Sequence, residues 1–143
     1  MFEKCEHLTT ISNTSDVFTE LVYGSKMFKE TSISSFNLSM PKLTHGTEMF
    51  YYCTSLASCS TQSFPELTQG TKMFYYCDDL KTIDTTFPKL QNADSMYRGC
   101  TLLSTITVSN KFPNLTSARY MFRDCVNFVP SFDDTSFPLL EDG

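Results

Sequence analysis

The chain has no tryptophan, only five glycines and six prolines, and 11 basic residues against 16 acidic ones. A formal net charge of −5 supplies no basic footprint for phosphates, so no nucleic-acid partner is expected. No apolar run approaches the roughly 18 to 20 residues that a membrane span needs. The opening MFEKCEHL lacks a basic stretch followed by an apolar one, so it is no secretory signal; one further upstream stays open, because Met1 need not be the natural start. No cysteines stand at CxxC-like spacing, which argues against zinc. No glycine-rich phosphate loop, nucleophile elbow or metal-binding helix occurs. His7 and His45 hold non-equivalent positions with no nucleophile pattern around them. Neither an enzyme nor a cofactor is expected.

What the chain has instead is self-similarity. At 143 residues it fits one domain. A Met-aromatic pair recurs at Met1, Met27, Met49, Met73, Met96 and Met121, at spacings of 26, 22, 24, 23 and 25 residues. Four residues after Met stands Cys5, Cys53, Cys77, Cys100 or Cys125, missing only from the second repeat. Seven after Met comes Leu8, Leu56, Leu80, Leu103 or Phe128, and ten after it Ile11, Cys59, Ile83 or Ile106. The second repeat fits with one residue deleted, giving Ile33 and Phe36, and the sixth with one inserted, giving Phe132. A second block, FTEL, MPKL, FPEL, FPKL, FPNL or FPLL, closes each repeat, and six residues separate its Leu from the next Met.

Constant spacing in one part and slack in another describe a solenoid, with register kept where coils stack and length varying where the chain turns outside the stack. Each repeat holds too few apolar residues to bury alone; stacked, they make one column. The segment through the Leu and Ile slots, LLSTITV in the fifth repeat, alternates and is β-branched, predicting a short parallel strand. The Met and Cys slots, at i and i+4, predict one face of a helical turn. Phe-Pro predicts a bend. The small residue three after the closing Leu, at Gly24, Gly46, Gly70, Ala93 and Ala118, points to close packing between coils rather than a positive φ, which alanine tolerates badly.

The pattern FPxLxxGxxMFxxCxxLxxI resembles the BspA-like leucine-rich repeat, and is similar to the Met-Phe-x-x-Cys repeats of bacterial surface proteins. The resemblance covers essentially the whole chain. It implies a solenoid of leucine-rich repeats: about six right-handed coils with short parallel β-strands, helical or 3-10 turns and irregular loops. Residues 1–143 then form a single domain, read as part of a longer array because neither end shows a polar cap. The family further implies no cofactor, and roles in adhesion and protein binding at cell surfaces.

Five of the six cysteines fall in one equivalent slot, so they read as a row of buried thiols acting as small hydrophobes; Cys59, in an Ile slot, reads as core. Residues flanking the Ile slot face outward, and all are small and polar: Thr10 and Ser12, Ser35 and Asn37, Ser58 and Ser60, Thr82 and Asp84, Thr105 and Thr107, Ser131 and Asp133. They are either a solvated sheet face or a shallow binding face; mixed serines, Asn37 and two aspartates spoil a regular ice-binding array. The sequence MFYYC occurs twice, placing Tyr51, Tyr52, Tyr75 and Tyr76 at slots that elsewhere hold Glu3 and Lys4, Lys29 and Glu30, Arg98 and Gly99, Arg123 and Asp124. Stacking should gather these tyrosines into one exposed patch, which serves as a contact site or shields the core edge.

The candidate binding residues are therefore Tyr51, Tyr52, Tyr75, Tyr76, Thr82, Asp84, Thr105 and Thr107, with no catalytic or metal-ligating residue. The function expected is a non-enzymatic module that binds protein or surface glycan, in a surface-displayed adhesin or receptor-binding protein at a cell or virion surface. The alternative is a structural spacer or assembly subunit, self-associating through uncapped terminal coils or forming part of a virion appendage.

Overall fold

The computed structural model describes residues 1–11, 18–59, 64–83, 87–106, 112–130, 132 and 136–141. Four two-residue strands, β1 (Ser35–Phe36), β2 (Ser58–Cys59), β3 (Thr82–Ile83) and β4 (Thr105–Ile106), pair in parallel in chain order. The sheet is open, and each parallel crossover is the remainder of one repeat. Ser35 pairs Ser58, Ser58 pairs Thr82 and Thr82 pairs Thr105, so Phe36 falls beside Cys59 and Cys59 beside Ile83. This register places Phe36 in the Ile slot, as the one-residue deletion in the second repeat requires. Alternation then turns Phe36, Cys59 and Ile83 into the core and the hydroxyl residues outward.

A second parallel ladder of single bridges runs Tyr23, His45, Gln69, Asn92, Ser117, two residues after each closing Leu. These side chains share no type, so no sequence pattern announces it. The Phe-Pro blocks are β-turns: Leu67 N–H bonds Phe64 O at 3.2 Å and Leu90 N–H bonds Phe87 O at 3.4 Å. Proline occupies the second turn position, where its fixed φ suits and its missing N–H costs nothing.

The MFxxC segment differs from the helical or 3-10 turn expected from the sequence. No helix occurs among the described residues, and ten described non-glycine residues instead hold φ between 53° and 65°. They fall in two slots, the residue before each Met (Lys26, Glu48, Lys72, Ser95, Tyr120) and the third after it (Lys4, Glu30, Tyr52, Tyr76, Asp124). Each segment is a run of β-turns, such as Tyr51 N–H to Glu48 O and Cys53 N–H to Phe50 O. The left-handed residues turn alternate N–H groups out of the segment and onto the next repeat. Phe50, Tyr52 and Glu48 thus donate to Met73, Tyr75 and Thr71 at 2.8, 2.8 and 3.0 Å. Bonds between repeats replace the i to i−4 bonds of a helix.

The core is a set of columns. Phe2, Phe28, Phe50, Phe74, Tyr97 and Phe122 stack face to face at 5.3–5.6 Å, and Phe64, Phe87, Phe112 and Phe137 form a second spine. Met49, Leu56, Leu67 and Leu80 are wholly buried in the same core cluster. At roughly 1.5 to 3 kcal/mol per buried large side chain, this column is the main stabilising term. Gly24 and Gly70 hold no positive φ; a Cβ on Gly24 would stand 2.9 Å from Leu43 Cδ1, and one on Gly70 3.2 Å from Leu90 Cδ1. Close packing explains the small-residue slot, as the two alanines require.

The cysteine row is a hydrogen-bonded ladder. The thiols of Cys53, Cys77, Cys100 and Cys125 donate to the carbonyls of Phe28, Phe50, Phe74 and Tyr97, each one repeat back, at 2.9, 3.1, 3.0 and 2.9 Å. A small apolar side chain with a weak donor suits this slot. Thr31, its substitute in the second repeat, is buried and bonds Phe28 O at 2.9 Å. None of the six cysteines forms a disulfide, but the row is not uniformly buried: Cys5 is exposed and Cys125 half-buried. Each lies in an outermost described repeat, packed on one side only.

Candidate functional site

The four tyrosines come together as two stacked columns. Tyr51 lies on Tyr75 at 4.9 Å and 2°, and Tyr52 on Tyr76 at 5.1 Å and 15°. Sideways contacts of 4.8 Å join Tyr51 to Tyr52 and Tyr75 to Tyr76. The columns follow from the stack itself: Tyr52 N–H bonds Tyr75 O, which holds the two turns in register one repeat apart. The patch is half-buried, with Tyr52 the most open at 42%.

Charge closes the first column. Lys29 Nζ sits 4.5 Å from the Tyr51 ring centre, and Arg98 Cζ and Lys72 Nζ each 5.8 Å from that of Tyr75. Cations over a ring face are drawn to its negative quadrupole. Lys29 is held there by Glu48 at 3.0 Å, and that hydrogen bond, ahead of the opposing effect of burial, raises its pKa above the ordinary lysine value. Burial likewise raises the Tyr51 phenol, with its tyrosine neighbours adding to the effect. The Tyr51 ring is therefore a neutral hydrogen-bonding phenol at neutral pH.

The second column ends differently. Its Tyr76 ring packs over Gly99, which has φ +78°, and a Cβ there would meet Tyr76 Cδ1 at 2.8 Å. On the side of the earlier repeats the equivalent slot holds Glu30, and a groove of about 540 Å³ opens there. Glu6, Glu30, Ser32, Tyr51, Tyr52 and Thr54 line it. Among the described residues no cation of the chain lies over Tyr52 or Tyr76.

The hydroxyl face is a separate group. Ser35, Ser58, Thr82 and Thr105 form one row across β1 to β4, with Thr82 and Thr105 exposed. Asp84 and Thr107, read from the sequence as part of this face, lie outside the described residues. His7 is exposed and His45 sits in the second ladder, 4.9 Å from the Tyr23 ring and 2.8 Å from Thr44 Oγ1. Sequence reasoning missed the groove residues Glu6, Ser32 and Thr54 and the capping roles of Lys29 and Arg98. The signal for the caps was available: Lys29 and Arg98 occupy the Tyr51 slot in the flanking repeats.

The model of the BspA type leucine rich repeat region matches the chain in six copies, over residues 1–93 and 24–129. Neither the comparison with curated proteins nor that with solved structures gives a match. Family model, open parallel sheet and stacked repeats agree, and the chain belongs to the BspA-type leucine-rich repeat family.

Proposed function

We propose that this chain is a non-enzymatic recognition module of a surface-displayed adhesin or receptor-binding protein, and that the tyrosine cluster is its contact surface. One observation carries this. Turns of the same form are built in other repeats with Lys4, Glu30, Gly99 or Asp124 in place of Tyr52 and Tyr76, so the fold does not need the aromatics. Holding a tyrosine at positive φ costs on the order of 1 kcal/mol or more. Clustered, half-open tyrosines supply apolar area together with hydroxyls, the composition of contact hot spots. The partner is a protein or a surface glycan; the net charge of −5 disfavours nucleic acid.

The test is binding of the purified chain to arrays of glycans and of basic, acidic and neutral peptides. Replacing Tyr51, Tyr52, Tyr75 and Tyr76 by Ser should keep a cooperative melt and abolish binding. Thr82→Lys with Thr105→Lys is the control at the hydroxyl face. Binding that survives the tyrosine changes and fails in the control would move the site to the sheet.

A structural role in end-to-end assembly is the second reading, favoured by the direction of the turn ladder. N–H groups of each repeat bond carbonyls of the next, so Phe122 and Asp124 N–H and Met1 and Glu3 C=O have no partner among the described residues. A first repeat of another copy placed after the sixth would put Phe2 on Phe122, Glu3 beside Arg123 and Lys4 beside Asp124. Sedimentation at rising concentration tests this: assembly that Arg123→Glu abolishes supports it, and a monomer throughout removes it.

A further inference from the structure

We infer that the groove beside Tyr52 receives a cationic side chain, an arginine or lysine presented by a partner protein. This rests on the tyrosine cluster being the contact surface. The cluster itself shows what its ring faces accept. The Tyr51–Tyr75 column carries Lys29 at one end, 4.5 Å from the ring centre, and Arg98 at the other, 5.8 Å away. The parallel column, Tyr52–Tyr76, is closed by Gly99 at one end and, among the described residues, by no cation at the other. Tyr52 is the most exposed of the four rings, and the groove lies on its side facing the earlier repeats, where Glu6 and Glu30 line it.

Where the first column has an ammonium from the preceding repeat, the second has a carboxylate. Lys29 offsets Glu30 only in part: it is shared between Glu48 at 3.0 Å and Glu30 at 3.9 Å, and Glu6 stands in no ion pair with it. An aromatic face beside two carboxylates favours a positive charge twice over, through the ring quadrupole and through direct attraction. Ser32 and Thr54 add hydroxyl acceptors at the same wall. A guanidinium matches this set best, since it stacks flat on a ring while its N–H groups reach oxygens in its own plane. A neutral sugar would use the ring and hydroxyls but gain little from the carboxylates, and an anionic sugar would be repelled. The chain's charge of −5 draws a basic partner toward the same groove.

The test is an amide-shift titration by NMR with the peptide acetyl-Gly-Ser-Arg-Gly-Ser-amide. Its citrulline counterpart, which keeps the shape without the charge, and a neutral oligosaccharide run beside it. The arginine peptide should shift Glu30 to Ser32 and Tyr51 to Thr54. The citrulline peptide, and the arginine peptide on the folded Glu6→Gln/Glu30→Gln variant, should bind about tenfold more weakly. Added salt should weaken the arginine peptide alone. Equal binding by citrulline, indifference to the two glutamine changes, a stronger response to the oligosaccharide, or no shift at millimolar peptide would each overturn the assignment. Binding lost with the four tyrosines but insensitive to charge removes the cation and keeps the cluster; binding indifferent to the tyrosines and lost in Thr82→Lys/Thr105→Lys removes the cluster as well.

Discussion

Tyr76 lies over Gly99, close enough that a Cβ on the glycine would stand 2.8 to 2.9 Å from three atoms of the ring. Gly99 also holds φ +78°, so a side chain there is opposed by both sterics and backbone. Gly99→Ala should destabilise by about 1 to 3 kcal/mol, the cost of a left-handed alanine plus a disturbed aromatic stack. The Tyr76 ring resonances should move with it. Unchanged urea midpoint and ring shifts would mean that Tyr76 does not rest on this glycine.

Leu80 is wholly buried in the column, whereas Tyr76 is half-buried on the turn. Leu80→Ala should cost about 2 to 5 kcal/mol in urea unfolding. Tyr76→Ala should cost about 1 kcal/mol, the worth of its ring contacts. Equal losses at the two positions would contradict the orientation of the repeat.

Tyr97 takes the place of a phenylalanine in the aromatic spine, and its buried hydroxyl has no hydrogen-bond partner among the described residues. Burial pushes that phenol well above its ordinary pKa. Tyr97→Phe keeps the ring and removes the orphan oxygen, so it should stabilise by about 1 kcal/mol. A loss of stability would show that the hydroxyl is satisfied in solution.

The thiols make a prediction about pH. Burial, as the largest cause, raises Cys77 and Cys100 well above the ordinary thiol value, and Cys125 to about 11. Below the unfolded value of about 9 the thiols are neutral in both states, and their contribution is complete. Above it the unfolded chain ionises first, so stability should fall as pH rises from about 9 to about 11. The slope approaches about 1.4 kcal/mol per pH unit for each fully buried thiol. Urea titrations at several pH values should show Cys77→Ala/Cys100→Ala flattening this decline. In the native state a thiol reagent should label Cys5 quickly and Cys125 slowly, and leave Cys53, Cys59, Cys77 and Cys100 untouched until denaturation.

Much of this architecture was legible in the residues. Met49 and Met73, Cys53 and Cys77, Leu56 and Leu80 recur at one spacing, and apolar groups so arranged are buried only when the repeats stack. The deletion in the second repeat was legible too, and the pairing of Phe36 with Cys59 agrees with it. That Cys5 is open was not, because its slot is filled like the others and only its position in an outermost described repeat exposes it.

Sequence alone determined which residues neighbour one another across the stack, including Tyr51 with Tyr75 and Tyr52 with Tyr76, since equal spacing leaves a single register. Tertiary structure decided the form of the turn that carries them. Lys26, Glu30, Tyr52 and Tyr76 have no local preference for positive φ; they adopt it because the N–H groups of Lys26, Glu30, Tyr52 and Tyr76 bond carbonyls more than 20 residues away. The same distant contacts decided that Lys29 and Arg98 close one tyrosine column, that Glu30 faces the open end of the other, and that the Tyr97 hydroxyl is buried without a partner among the described residues. A local pattern records side-chain spacing, but it does not record where a backbone N–H finds its acceptor in the next repeat.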